Sequence, residues 1–145
     1  HGEYTPADVN LNDALQLAHR IGSKWIVAFT LRQMSTLALA KGDSMLAREV
    51  GLQAIGVAQA VGTVPLQLDC LIGVAQTALN DDNVRLAALV AAHPQAEHET
   101  HSLAHALLKE AERHLPDRAY QTACEQGAKW PLESALAAVL GGGGG

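Results

Sequence analysis

Residues 14–54 read ALQLAHRIGSKWIVAFTLRQMSTLALAKGDSMLAREVGLQA, and residues 54–94 read AIGVAQAVGTVPLQLDCLIGVAQTALNDDNVRLAALVAAHP. Laid over each other without a gap, the two stretches match at an offset of 40 residues. A fixed period of this length, written in Ala, Leu and Gly, is typical of stacked helical hairpins, which present an extended surface rather than an enclosed pocket. The identical pairs are Ala14/Ala54, Ala18/Ala58, Gly22/Gly62, Leu31/Leu71, Ala38/Ala78, Leu39/Leu79, Leu46/Leu86, Ala47/Ala87 and Val50/Val90.

The composition agrees with an all-α fold. The chain has 145 residues, which is the length of one domain, and it is 48% hydrophobic but only 3% aromatic. Ala and Leu dominate, and the scarcity of Ile, Val and aromatic runs argues against a sheet. The net charge is −5, and the ten basic residues are scattered, so no basic stripe indicates contact with nucleic acid.

The cysteines and the hydropathy pattern predict a cytoplasmic domain. Cys70 and Cys124 are isolated and lack a paired spacing, which indicates buried thiols in a reducing compartment rather than a disulfide. No apolar run approaches 18 residues, and the N-terminus has no basic-then-apolar signal pattern. We therefore expect no association with a membrane.

Helical periodicity predicts five helices within residues 10–92, which form the repeat hairpins. Gly22, Lys41-Gly42-Asp43, Gly62 and Asn80-Asp81-Asp82 separate these helices, and Pro94 stops the fifth. The fourth helix is predicted to continue to Leu79. The predicted N-caps are Thr5 or Asn10, Ser23, Asp43 or Ser44, Thr63, and Asn83.

Residues 97–140 have no 40-residue echo and are predicted to form capping helices. A long amphipathic helix leads to Pro116, Asp117 caps a second one that Gly127 closes, and a short helix follows Trp130 and ends at Leu140. We interpret residues 1–140 as one helical-repeat domain and residues 141–145 as a glycine linker or appended tail. Because the chain opens with His1, half-way through a repeat unit, we expect it to be a fragment of a longer protein.

Two stretches resemble a known family. The unit from Gly22 to Gly62, with ALAKGD followed by LAR, resembles a tetratricopeptide-type repeat in its longer form. Residues 103–140, LAHALLKEAERHLPDRAYQTACEQGAKWPLESALAAVL, resemble the C-terminal end of large bacterial signalling ATPases and of LuxR-, MalT- and AfsR-like regulators. The aromatic position of that pattern is Tyr120, the Glu-Gly step is Gln126-Gly127, and the Leu-Glu-Glu-Ala step is Leu132-Glu133-Ser134-Ala135.

The chain also departs from the family's pattern. Cys124 stands where the family commonly has Trp, and Pro131 stands where it often has a Ser cap. The segment from His93 to Glu97 is shorter than the usual connector. These differences concern the details of the cap rather than the architecture.

The resemblance implies a tetratricopeptide-like α-solenoid with a C-terminal helical cap, serving as the interaction or ligand-sensing domain of a bacterial transcriptional or signalling regulator. The implied partners are a protein or peptide, chiefly other domains of the same regulator, and in addition a small-molecule inducer. No G-x-x-x-x-G-K-[ST] occurs, and neither cysteine has a sequence cue for activation, so we expect no ATP hydrolysis, no cofactor and no catalysis.

Seven residues are candidates for a partner-binding stripe on the concave side of the first helices of the hairpins. The neighbouring core stripe keeps its residue types in the second repeat, whereas the residues of this stripe change between the two repeats. Aromatic residues together with Arg are common anchors at interfaces. The alternative is that Trp25 and Phe29 pack against an upstream helix. The candidates are Trp25, Phe29, Arg32, Gln33, Thr36, Asp69 and Gln76.

Three histidines suggest a rival function. His98, His101 and His105 fall on one helix face, where imidazoles could bind Zn²⁺ or Ni²⁺. The stretch lacks the HExxH spacing and borders the apolar face, so structural histidines are the preferred interpretation and no metal is expected. A metal-binding protein or metal-dependent enzyme, and a purely structural self-association domain, remain the alternatives.

Overall fold

The structure is a computed structural model that describes residues 6–141, and within this range the chain is helical, with no strand. The prediction of an all-α protein is therefore confirmed. The predicted cap at Thr5 and the glycines at 142–145 lie outside the described residues. The eight helices are α1 (Pro6–Ile21), α2 (Lys24–Ala40), α3 (Ser44–Val61), α4 (Val64–Ala75), α5 (Asp81–Ala92), α6 (His98–His114), α7 (Asp117–Ala128) and α8 (Leu132–Gly141).

The 40-residue repeat of the sequence reappears in the boundaries of the first four helices. Helices α1 and α3 end at Ile21 and Val61, and helices α2 and α4 begin at Lys24 and Val64. Gly22 and Gly62 lie in the two equivalent turns with φ of 72° and 82°, a left-handed conformation that glycine adopts without steric cost. These two turns therefore repeat in backbone conformation as well as in sequence.

Side-chain caps begin three of the helices. The Ser23 hydroxyl accepts from the Ile26 N–H at 3.3 Å, and the Asp43 carboxylate accepts from the Leu46 N–H at 3.1 Å. Before α5 the cap is Asn80, which accepts from the Asn83 N–H at 2.8 Å. Of the alternatives predicted at 43 and 44, Asp43 is therefore the cap.

Two predictions around the α4–α5 turn were wrong. Helix α4 ends at Ala75 instead of continuing to Leu79, and the Thr77 hydroxyl donates to the Val74 carbonyl at 2.7 Å. Asn83 is not the cap of α5 but a buried residue in its first turn, and its amide donates to the Ala78 carbonyl at 2.9 Å. Side-chain bonds that satisfy the backbone of the turn thus compete with continuation of the helix.

Helix boundaries after Pro94 also differ in detail. Pro116 rather than Asp117 is the N-cap of α7, and Gly127 lies inside α7 instead of closing it. A Cβ at Gly127 would lie 2.2 Å from the Arg85 carbonyl oxygen, so glycine is required there by the close approach of α5. Gly141, predicted as the start of the tail, is the last residue of α8.

Consecutive helices from α1 to α6 pack against one another, and α2 also packs against α4. Helix α7 lies mainly on α5, and α8 returns to α3 in the middle of the chain. The short turns make α1/α2, α2/α3 and α3/α4 antiparallel neighbours.

Most buried apolar side chains form one continuous core. The core draws residues from α1 to α6 and from α8, and a smaller cluster of Val84, Ala111 and Ala123 lies between α5, α6 and α7. Cys70, predicted as a core thiol, is fully buried. The bulkiest fully buried core side chains are Ile55, Leu68, Leu71, Ile72, Val74, Val84 and Val90.

Candidate interaction surface

Two aromatic side chains stack on the outside of α2. The rings of Trp25 and Phe29 are nearly parallel, at an interplanar angle of 7°, and their centroids are 5.4 Å apart. Trp25 is 47% exposed and Phe29 is 42% exposed. Large aromatic side chains contribute strongly when they are buried at an interface, so an exposed stacked pair is a candidate anchor for a partner.

Further apolar side chains are exposed on α1 and α2. Leu17 and Ile21 on α1 are 56% and 60% exposed, and Ile26, next to Trp25, is 36% exposed. Clusters of exposed apolar side chains are typical of interaction sites. We call Leu17, Ile21, Trp25, Ile26 and Phe29 the end face. The candidates chosen from the sequence did not include Leu17, Ile21 and Ile26. Their equivalents at an offset of 40, Val57, Val61 and Leu66, are also aliphatic, and this similarity was the available signal.

The remaining candidate residues differ in exposure. Gln33 and Thr36 are exposed farther along α2 and continue the stripe of Trp25 and Phe29. Asp69 on α4 and Gln76, which follows the last residue of α4, are half-buried. The structure therefore leaves four of the candidates on α2 open to solvent and gives Asp69 and Gln76 a more covered position.

Arg32 is the candidate that lies inside the protein. Its side chain is buried, its Nε donates to the Asp69 carbonyl oxygen at 3.0 Å, and its Nη1 donates to the Thr36 hydroxyl at 2.6 Å. The Asp69 carboxylate lies 3.5 Å from the same Nε and completes an ion pair. The guanidinium is thus occupied by partners within the chain.

A glycine on α4 makes room for this arginine. A Cβ at Gly73 would lie 2.9 Å from Arg32 Nε, so the guanidinium rests directly on the backbone of α4. The Thr100 hydroxyl on α6 donates to the other oxygen of Asp69 at 3.5 Å. Arg32, Asp69 and Thr100 consequently connect α2, α4 and α6.

The buried thiol next to this network is chemically inert. Burial raises the pKa of Cys70 to about 12, and the neighbouring Asp69 carboxylate contributes in the same direction. A protonated, fully buried thiol is neither a nucleophile nor a metal ligand at neutral pH. Cys124, half-buried, packs with the small cluster between α5, α6 and α7.

The three candidate histidines do not form a metal centre. The His101 and His105 rings meet edge to face at 4.4 Å between centroids, and His101 Nε2 lies 2.6 Å from the Ala91 carbonyl oxygen. His98 is exposed at the start of α6. Within residues 6–141, no group of three or more His, Cys, Asp or Glu side chains is placed to hold a metal ion.

A shallow cavity of about 440 Å³ opens at the N-terminal ends of α5 and α7. Arg85 lines it, but this side chain already pairs with Asp82 and donates to Gln126 Oε1 at 3.0 Å. The other charged residues lining it are Asp81 and Arg118. Arg85 is therefore occupied by partners within the chain, and we take the end face as the stronger candidate.

Comparison of the chain with the models of known families, with curated proteins and with solved structures finds no match. None of the helices among residues 6–141 has both the length and the apolar character required to cross a bilayer. A function for this chain is therefore inferred from the geometry of residues 6–141 and from the resemblance of residues 103–140 to the C-terminal end of bacterial regulators.

Proposed function

We propose that this chain is a non-catalytic protein–protein interaction or ligand-sensing domain and a fragment of a larger bacterial transcriptional or signalling regulator. Its architecture would be a tetratricopeptide-like solenoid of antiparallel hairpins with a C-terminal cap. Its partners would be other domains of the same regulator, with a small-molecule inducer as a further ligand, in the cytoplasm.

The observation that carries this proposal is the exposed Trp25–Phe29 stack on α2, a helix that Arg32 joins to α4 through its ion pair with Asp69. Interface energy concentrates in a few aromatic side chains that become fully desolvated on binding. Rigid presentation favours affinity, because little conformational entropy remains to be lost when the partner docks. The Arg32–Asp69 ion pair joins α2 to α4 three residues after Phe29 and would favour such a presentation.

Regulation would follow from occupancy of this surface. A partner that binds the exposed side of α2 in one state of the regulator, and leaves it in another, shifts the equilibrium between the two states by its differential affinity. By the family resemblance alone, an ATPase domain of the regulator would lie upstream and respond to this shift. Recognition of the partner would then belong to this domain, and ATP hydrolysis to another domain of the regulator.

Calorimetric titration tests the proposal. The protein is titrated with the polypeptide encoded upstream in the same reading frame, and separately with a panel of metabolites. We expect one of them to bind and the variant Trp25→Ala/Phe29→Ala to weaken that binding by roughly tenfold or more. A matched control, Arg48→Ala/Gln53→Ala, changes two exposed residues of α3 and should leave the affinity unchanged.

Absence of binding by every titrant would contradict the proposal. Equal affinity of the wild type and the aromatic double variant would move recognition away from the end face.

A further inference from the structure

Because the sequence repeats at an offset of 40 residues, each residue of the end face can be compared with an equivalent residue in α3 or α4. Residues of α1 correspond to residues of α3 at an offset of 40, and residues of α2 correspond to residues of α4. Ile26 is 36% exposed, whereas its equivalent Leu66 is 7% exposed. The exposed Leu17 and Ile21 correspond to Val57 and Val61, which are both half-buried.

Helix α2 packs on α3 and α4, the helices that carry the equivalent residues. The Ser35 hydroxyl donates to the Ala47 carbonyl oxygen at 2.7 Å and would lie 3.3 Å from a Cβ at Gly51, so α2 touches α3 at these two residues. Arg32 of the same helix lies on Asp69 and Gly73 of α4. Helix α2 thus sits antiparallel to α3 and alongside α4.

The equivalent positions one repeat earlier are uncovered. Ala47 and Gly51 correspond to Ala7 and Leu11 of α1, and Asp69 and Gly73 correspond to Phe29 and Gln33 of α2. Ala7, Phe29 and Gln33 are exposed and Leu11 is half-buried, although Ala47 is fully buried. Helices α1 and α2 therefore present the surface on which a helix sits one repeat later.

We infer that the end face is a docking site for one amphipathic α-helix, lying antiparallel to α1 and alongside α2 as α2 lies on α3 and α4. This inference rests on the proposed interaction function and adds the structural class of the partner. The partner's apolar stripe replaces water on the end face, including Trp25.

The residues that differ between the repeats define the partner's sequence. Leu11 stands where α3 has Gly51, so the partner needs Ala or Gly at the position that Ser35 takes in α2. Phe29 stands in place of Asp69, so that no carboxylate is there to pair with an arginine, and Gln33 stands where α4 has Gly73, whose lack of a side chain makes room for a guanidinium. An arginine equivalent to Arg32 is thereby disfavoured, and an apolar residue such as Leu fits against Phe29.

The α2 helix of a second copy does not meet these requirements. Its Ala28, Leu31 and Ser35 side chains are already buried in their own fold. The partner is accordingly a helix whose small-residue stripe is free.

A tethered helix tests the inference directly. In the test protein, a copy of residues 24–43 replaces His1–Glu3, so that the copy's Asp43 precedes Tyr4 as the native Asp43 precedes Ser44. The copy carries Trp25→Gln, Phe29→Gln, Arg32→Leu and Ser35→Ala, which make it free of Trp and matched to the end face. The control protein carries the same copy with Leu31→Glu, which places a charge on the copy's packing stripe.

Both proteins carry Trp130→Phe, so that Trp25 is the remaining tryptophan. We expect the tethered helix to shift its fluorescence to shorter wavelength relative to the control protein. Amide exchange in α1 should become roughly tenfold slower or more, because docking has to be undone before α1 opens. The same spectra and exchange rates for both proteins would overturn the inference. Sedimentation of the unmodified chain supplies a second check, because self-association that Ile26→Asn abolishes would make a second copy the occupant and overturn it too.

The outcomes separate this inference from the proposed function. If the tethered helix does not dock but the upstream polypeptide binds in a Trp25-dependent manner, the helix inference fails and the proposed function stands. If the tethered helix docks while no titrant binds, the site accepts a helix and the proposed function is overturned.

Discussion

At the scale of single residues, Arg32 has a structural role beneath the exposed surface. In its ion pair with Asp69, the Arg32 side chain is buried, whereas the Asp69 side chain is 27% exposed. We predict that Arg32→Met lowers the free energy of unfolding by about 2 kcal/mol, because the carboxylate and the Asp69 carbonyl lose their donor. Urea unfolding measures the change.

Arg118→Met, at an exposed position of α7, is the control and should change stability by no more than about 0.5 kcal/mol. Equal stability of the two variants would contradict a structural role for Arg32.

Two glycines inside helices make opposite predictions for the same substitution. Gly127→Ala should destabilise the protein by about 3 kcal/mol, because its Cβ would lie 2.2 Å from the Arg85 carbonyl oxygen and the backbone of α5 has to move. Gly56→Ala should stabilise it by about 0.5–1 kcal/mol, because nothing lies within 4 Å and alanine favours the helix. Thermal unfolding of both variants compares them, and changes of the same sign would refute the α5–α7 approach.

The buried thiol predicts a loss of stability at alkaline pH. Burial raises the pKa of Cys70 from 9.0 to about 12, so the folded state retains a proton that the unfolded state releases first. The stabilisation is fully present below pH 9 and is lost as the pH rises from 9 towards 12, with a slope of at most about 1.4 kcal/mol per pH unit. Urea unfolding across this range should show a shallower slope for Cys70→Ala.

Part of the slope remains in that variant. Burial also raises the pKa of Tyr120 from 10.0 to about 12, and a hydrogen bond with Cys124 adds to this effect. An identical pH dependence of the wild type and Cys70→Ala would show that Cys70 is not the group responsible.

At the scale of helices, the sequence predicted elements better than their ends. Gly22 and Gly62 could be read as turn residues because left-handed backbone favours glycine wherever it occurs. The end of α4 was missed because it depends on the bonds of Thr77 and Asn83 within the turn. Gly127 was misread as a helix end, since only the position of α5 in space explains the absence of its side chain.

Helix α8 provides a test at this scale, because it connects the end of the chain to α3. Leu136 is 2% exposed and belongs to the main core, whereas Leu140 on the same helix is 40% exposed. We predict that Leu136→Ala costs about 2–4 kcal/mol and speeds amide exchange in α8, and that Leu140→Ala costs less than about 1 kcal/mol. Equal costs would show that α8 does not pack as described.

At the scale of the whole molecule, the repeat predicted two of the five end-face residues, Trp25 and Phe29. An offset of 40 separated the variable stripe of Trp25, Phe29 and Gln33 from the preserved core stripe, and these three residues are exposed. The burial of Arg32 was not predicted, because it depends on the path of the side chain across Gly73 to Asp69. Pairings between helices that are distant in sequence leave no trace in local periodicity.

We place the contact with a partner at the Trp25–Phe29 pair. Hydroxyl-radical footprinting tests this placement by comparing oxidation of the two rings in the isolated chain and in the longer regulator that we propose contains it. Met45, which is 86% exposed on α3, serves as the internal reference. We expect rapid oxidation of Trp25 and Phe29 in the isolated chain and protection of both in the longer protein, with Met45 unchanged. Equal oxidation of the two rings in both samples would overturn this placement.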